Sequence, residues 1–212
     1  MTLEEFYKRN EYLYHLTSPD NADAILSSRY LLSAEKLISD ADLTNEEKHK
    51  YLTGRRPEHL HIISSTTGLP SMIRDQQPIS EKALVKTLTN NMTAGEFILL
   101  LNSRVFFWPT LKRLNIHYTR YQNESPAIIR VKSRDMIESN LDQLKFCRLN
   151  SGATRCHPKW KAPPPRGMET FVSVNDWEFR ASDVAEVTFE TDCVLPDERW
   201  VSQHPDGPWT KV

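Results

Sequence analysis

The sequence predicts an α+β fold, with short strands scattered among capped helices. Residues 184–191 alternate strictly, Ala185, Val187 and Phe189 against Glu186, Thr188 and Glu190, which is the period of two expected of a half-buried strand. Several helix starts pair a hydroxyl cap with an acid in the first turn. Strands and helices do not alternate regularly, which disfavours a doubly wound parallel sheet.

In chain order, a short N-terminal helix leads into a strand over Tyr12, Leu13, Tyr14, His15, Leu16 and Thr17. Ser18-Pro19-Asp20 then starts a helix, with Ser as cap, Pro at the first helical position and an acid behind it. That helix runs to about Ser28, and Leu31-Leu32 opens a further short element. Glu46 to Tyr51 reads as helical, Gly54-Arg55-Arg56-Pro57 as a turn, and His59 and His61 alternate on an extended piece. Two histidines at that spacing lack an evident third ligand, so no metal is expected. Ile73-Arg74-Asp75-Gln76 reads as an exposed polar cluster.

Ser80 caps a helix carrying Leu84, Val85 and Leu88, and Thr93-x-x-Glu96 is a capping box before Phe97, Ile98, Leu100 and Leu101. Arg104-Val105-Phe106-Phe107-Trp108-Pro109 suggests a strand buried on both faces, and Thr110 caps the helix through Leu111, Leu114, Tyr118 and Tyr121. Ala127 to Val131 is a strand, a helical turn surrounds Met136, and Leu144 to Leu149 is another strand that runs into the turn Asn150-Ser151-Gly152-Ala153-Thr154-Arg155. From Gln143 to Met168 there is no acid, while Lys145, Arg148, Arg155, Lys159, Lys161 and Arg166 are present with Trp160 among them.

The 212 residues fit one domain, residues 1–212, with a helical insertion at about 40–100. With 39% hydrophobic and 26% charged residues, a soluble globular chain is expected. Lys+Arg 27 against Asp+Glu 28 leaves the overall balance silent on nucleic acid, so local charge must carry that argument. The 3 cysteines have no C-x-x-C spacing, which fits a reducing, cytoplasmic setting better than a disulfide framework. The charged N-terminus lacks the apolar core of a signal peptide, and no stretch is long enough to span a bilayer, so no membrane partner is expected. There is no G-x-G-x-x-G after a strand and no G-x-x-x-x-G-K-[ST], which disfavours Rossmann and P-loop nucleotide binding.

Three pieces of the chain resemble, in order, the DarT-type ADP-ribosyltransferases, toxins that modify nucleic-acid bases. Leu13 to Leu26 is similar to the family's aromatic-His-x-Thr opening with its downstream Asn and Ile. Arg104 to Pro109 is similar to its central aromatic strand, and Ala185-Glu186-Val187-Thr188 to the segment that holds the catalytic glutamate. The chain departs from the family at Ser28-Arg29-Tyr30, where a glycine usually precedes the paired aliphatics, and over Asn150 to Arg166, which looks closer to an uncharacterised bacterial family with RVFFW and NSGAT-like motifs. The resemblance implies an ADP-ribosyltransferase-like split β-sheet core with flanking helices.

It also implies an NAD-dependent transfer of ADP-ribose to a nucleic-acid base, with NAD as co-substrate, in a bacterial toxin or phage-defence effector that has an antitoxin partner. The ribose becomes oxocarbenium-like as its bond to nicotinamide breaks, so a carboxylate facing it stabilises the transition state more than the ground state. Glu186 is assigned that role, although exposed carboxylates on a strand need no function. His15 and Thr17 are assigned to the NAD pocket, and Asn21 either orients that pocket or caps its helix. Arg104 first, then Arg74, are the cations expected to meet the pyrophosphate, with Arg155 a further candidate. Glu190 is assigned to solvent, and Asn150 and Ser151 either touch ligand or only make a turn.

For the acceptor, Arg155, Lys159, Trp160, Lys161 and Arg166 offer cations and a stacking ring suited to a single strand of DNA or RNA. The competing expectations are ADP-ribosylation of a protein side chain and a catalytically inactive module that keeps the fold for binding.

Overall fold

Local signals frame the first third of the chain. The computed structural model describes residues 1–155 and 163–212. Thr2 and Glu5 form a capping box for α1 (Leu3–Arg9), which leads into β1 (Tyr12–Thr17). The Ser18 hydroxyl accepts from the Asn21 N–H and caps α2 (Pro19–Ser28), with Pro at the helix start. This helix ends on Arg29 at φ 66, the left-handed conformation that glycine adopts at least cost. The Arg29 side chain compensates by donating to the Leu195 carbonyl at 3.1 and 2.9 Å and pairing with Asp197 at 2.5 Å. The position where a glycine was expected therefore keeps the glycine backbone without the glycine.

After β2 (Tyr30–Leu32) come α3 (Ala34–Asp40), α4 (Asn45–Thr53), a hairpin of β3 (Leu60–Ile63) and β4 (Pro70–Ile73), α5 (Glu81–Val85) and α6 (Ala94–Asn102). The stretch expected to be a helical insertion thus carries a β-hairpin among its helices. Ile38, Ala41, Ile62 and Ile73 form a separate small core there. The polar cluster expected to be exposed is not: Ile73 is buried and the Asp75 side chain is 4% exposed.

β5 (Arg104–Phe107), α7 (Leu111–Tyr121), β6 (Ala127–Lys132), α8 (Ser133–Glu138), β7 (Leu144–Cys147) and β8 (Glu186–Glu190) follow. The chain closes with β9 (Asp192–Val194), β10 (Arg199–Ser202) and β11 (Thr210–Lys211), none of which the sequence pattern announced. The strands named here pair antiparallel: β1-β6-β10-β11 form one sheet, β5-β8-β7 a second, and β2-β9 a short ribbon. The two larger sheets meet where Tyr14 and Trp108 exchange backbone hydrogen bonds of 3.0 and 2.8 Å, between β1 and the end of β5. The chain is α+β, with its main sheets bridged between β1 and the end of β5.

Strand β8 runs down the middle of its sheet and is covered on both sides. Val187 and Phe189 pack with Phe6, Val105, Phe107 and Phe146 in the main core. Across the sheet, α6 is apolar around most of its circumference and lays Phe97, Ile98 and Leu101 near Cys147 and Phe171. The alternation of β8 places Glu186 and Thr188 on this second side, where they are 3% and 0% exposed rather than solvated.

Candidate functional site

Where the two sheets diverge, a cleft of about 300 Å³ opens. His15, Thr17, Asn21, Arg74, Arg104 and Glu186 all line it, although β1, α2, the end of β4, β5 and β8 deliver them from widely separated parts of the sequence. Arg56, Asp75, His117, Tyr121 and Ser151 join them there.

Glu186 accepts from the Ser151 N–H at 3.2 and 3.3 Å and from the Ser151 hydroxyl at 2.7 Å. Burial pushes its carboxyl up to about 7, while the Ser151 donors, and more weakly the cations Arg113 and Arg166, pull it down. Burial thus favours the protonated carboxyl well above the usual carboxylate range. Ser151 sits on a braced turn. Arg166 donates to the carbonyls of Ser151, Pro164, Asn150 and Ala153 at 3.3, 3.2, 3.5 and 2.7 Å. The Thr154 hydroxyl accepts from the Ser80 N–H at 2.6 Å and donates to the Ser80 carbonyl at 3.1 Å. Arg166, expected on an acceptor-binding surface, is 3% exposed. It faces inward because it saturates carbonyls that the turn leaves unpaired.

His15 donates from Nδ1 to the Phe106 carbonyl at 2.9 Å, which leaves Nε2 as an acceptor. Burial, reinforced by the nearby Arg74 charge, pushes its pKa down to about 4, so the ring is neutral at pH 7. His117, one wall along, is pushed down to about 3 by burial and by Arg74, and its ring lies against Trp108 and Tyr121.

Arg74 donates from Nη2 to the Thr17 carbonyl at 3.0 Å, pairs through Nη1 with Glu124 at 2.7 Å and lies 4.2 Å above the Tyr121 ring. Arg56 donates to Asn102 Oδ1 at 3.1 Å from both terminal nitrogens, and burial brings its pKa to about 10, leaving it charged. The buried Nε atoms of Arg56, Arg74 and Arg104 lack partners among the described residues, which is costly in a folded protein and marks these walls as short of acceptors.

Four residues weighed from the sequence are held by bonds of their own. Arg104 lines the cleft, but its terminal nitrogens are committed to Glu190 at 2.8 Å, the Leu100 carbonyl at 2.9 Å and the Ser103 hydroxyl at 3.1 Å, with its plane 4.4 Å from Phe171. Glu190 is accordingly an ion-pair partner and not simply solvated. Asn21 spends its amide on Met72, donating to the carbonyl at 2.7 Å and accepting from the N–H at 2.9 Å, so it clamps the hairpin onto α2 while Ser18 does the capping. His59, a weighed metal ligand, accepts from the Asp75 N–H at 3.0 Å and lies 3.1 Å from Glu124. Among the described residues no group of three or more metal-ligating side chains is gathered.

Arg155 lies beside a neighbouring cavity rather than in the cleft, and Lys159, Trp160 and Lys161 fall outside the described residues. The residues that sequence reasoning missed were partly signalled: His117 and Tyr121 are four apart on α7 beside the buried Leu114, so they share its inward face. Arg56 and Asp75 carried no such signal, because their surroundings are set by distant partners, Asn102 for Arg56 and His59 for Asp75.

No helix among the described residues is long and apolar enough to cross a membrane. No curated protein and no solved structure matches the chain. A family model described as "Family of unknown function (DUF7002)" matches residues 11–197, and the chain belongs to that family.

Proposed function

We propose that the protein is an NAD-dependent ADP-ribosyltransferase with Glu186 as its catalytic carboxylate and a nucleic-acid base as its acceptor. The observation that carries this reading is the convergence of His15, Thr17, Arg74 and Glu186 on one cleft at the divergence of two sheets. The donor set suits NAD: Arg56 and Arg74 bring positive charge to the cleft for a pyrophosphate, and neutral His15 offers Nε2 to a hydroxyl.

NAD when bound supplies the activated bond between ribose and nicotinamide. Glu186, once ionised, opposes the positive charge that grows on the ribose, and Ser151 fixes its orientation in advance. The buried position excludes water, which strengthens that interaction but also lifts the carboxyl toward neutrality. His15 orients a hydroxyl without adding charge, because burial holds it neutral. An enzyme that marks nucleic acid in this way would serve as a toxin or a defence effector and would need an antitoxin partner in its own cell.

Incubation with adenine-labelled NAD and separate pools of single-stranded DNA, RNA and protein tests donor and acceptor together. Label is expected in a nucleic-acid pool and lost with Glu186→Gln. Label confined to protein would reassign the acceptor, and no consumption of NAD in any pool would overturn the reading.

A further inference from the structure

Beside the cleft lies a second cavity of about 460 Å³, inside the size range of small-molecule sites. Three arginines line it from separate parts of the sequence: Arg55 from the turn after α4, Arg120 from the last turn of α7, and Arg155 from the end of the turn that carries Ser151. Gln77, Pro78 and Ala153 lie between them, and no acidic residue lines it among the described residues. The cavity and the cleft share Pro78 as a wall, and Gln76 and Gly152 of the cleft adjoin Gln77 and Ala153 of the cavity.

We infer that this cavity is a phosphate subsite that holds the backbone of a single-stranded nucleic acid across the mouth of the cleft. The inference rests on the transferase reading above but concerns a different set of residues. Each arginine has an ordinary duty available. Arg120 complements the C-terminal dipole of α7, and Arg55 donates to the Gln76 and Gln77 carbonyls at 3.3 and 3.2 Å. Those duties do not require three arginines to line one concavity that has no acid among its described lining residues. A polyanion suits that lining.

Arg55 uses Nε and one Nη on carbonyls and keeps further N–H groups of its five. It is thus a pre-oriented cation with donors to spare, which suits the two free oxygens of a phosphodiester. The pyrophosphate of NAD already has Arg56 and Arg74 inside the cleft, so a separate cationic cavity at the rim matches a second anionic ligand. Seated there, a strand has one phosphate fixed while an unstacked base a short distance along it can reach Glu186 at little unpairing cost.

Fluorescence anisotropy of labelled oligothymidylate and oligouridylate of about a dozen nucleotides, titrated over a range of salt, tests this. Arg120→Ala combined with Arg155→Ala is the decisive variant, because both side chains are exposed and the fold does not depend on them. Each lost contact is expected to weaken binding about fourfold at 0.15 M salt and to flatten the slope of log K against log salt by about 0.7. Arg55→Lys should keep the slope and lose only part of the affinity. The two oligonucleotides report whether a deoxyribose or ribose backbone is preferred, and competition by inorganic phosphate reports whether a lone phosphate suffices.

An unchanged affinity and slope in the double variant overturns the inference, as does an absence of oligonucleotide binding by the wild-type protein. Measuring NAD consumption by the wild type in parallel separates the two readings. Consumption without any salt-slope change sinks the subsite alone, whereas a salt-slope change without consumption keeps the subsite and sinks the transferase.

Discussion

Glu186 and Glu190 leave the same face of β8, four residues apart, and end in opposite environments. Glu186 is 3% exposed and held by the neutral donors of Ser151, whereas the Glu190 side chain is 42% exposed and paired with the Arg104 guanidinium. The first is lifted to about 7 by burial. The second sits at the rim, beside a full positive charge. Strand alternation says which side a residue takes; only the covering elements, here the 150–154 turn and α6, decide how deep it lies.

Exchanging each carboxylate for its amide should break this comparison most sharply. Glu186→Gln is expected to lower transfer by about 10²–10³-fold, the scale of losing one charge-stabilising group in a closed site. Labelled-NAD transfer measures it. The same variant should also remove a pH dependence of stability. Glu186 has a folded pKa near 7 against 4.5 for the ordinary carboxyl, so the native state holds the proton more tightly than the unfolded chain. Stability is therefore lost as pH rises from about 4.5 to 7, by about 2–4 kcal/mol in total. Urea unfolding of wild type and Glu186→Gln at pH 5 and pH 8 should show the variant gaining ground by that order at the higher pH.

Ser151→Ala removes a donor that favours the charged carboxyl, so the Glu186 pKa moves further up. Transfer that depends on the ionised form, rising through about pH 7 in the wild type, should rise at higher pH in the variant. A roughly tenfold deficit at pH 7 should shrink toward pH 9, one pKa unit being a factor of ten in ionised fraction. A loss equal at every pH would show Ser151 to be merely structural. Glu190→Gln should do least: about 1 kcal/mol of stability, because the pair is half exposed and Arg104 keeps its carbonyl acceptor, and transfer within about twofold of wild type.

Much of the frame was legible because its causes are local. Ser18, Thr93 and Thr110 each cap the helix that their spacing announces, and the β1 and β5 patterns fall on strands. That His15, Thr17, Asn21, Arg74, Arg104 and Glu186 line one cleft is not a matter of periodicity, because the elements that carry them are far apart in the chain. Their individual bonds were not legible. Arg104 and Arg74 look alike in sequence, yet one reaches Glu190 across a strand pair and the other reaches Thr17 because the hairpin folds back. The acid-free stretch misled in a similar way, since its cations serve different ends: Arg166 braces a turn from inside and Arg148 stacks 3.6 Å from Phe179. Strand β10 escaped notice because Arg199-Trp200-Val201-Ser202 does not alternate polar with apolar residues, and its partner β6 lies far back in the chain.

The central place of β8 has a consequence for the birth of the protein. Strands β5 and β7 do not pair with each other; each pairs with β8, which is synthesised after both. On the ribosome, the aromatic strand at 104–107 must wait for residues 186–190 to emerge before its sheet can close. Such distant pairing slows folding and keeps a nascent chain's strand edges open. Glu186 arrives on that same late strand. A chain that ends before residue 186 thus lacks the strand that joins β5 to β7, and with it the Glu186 wall of the cleft.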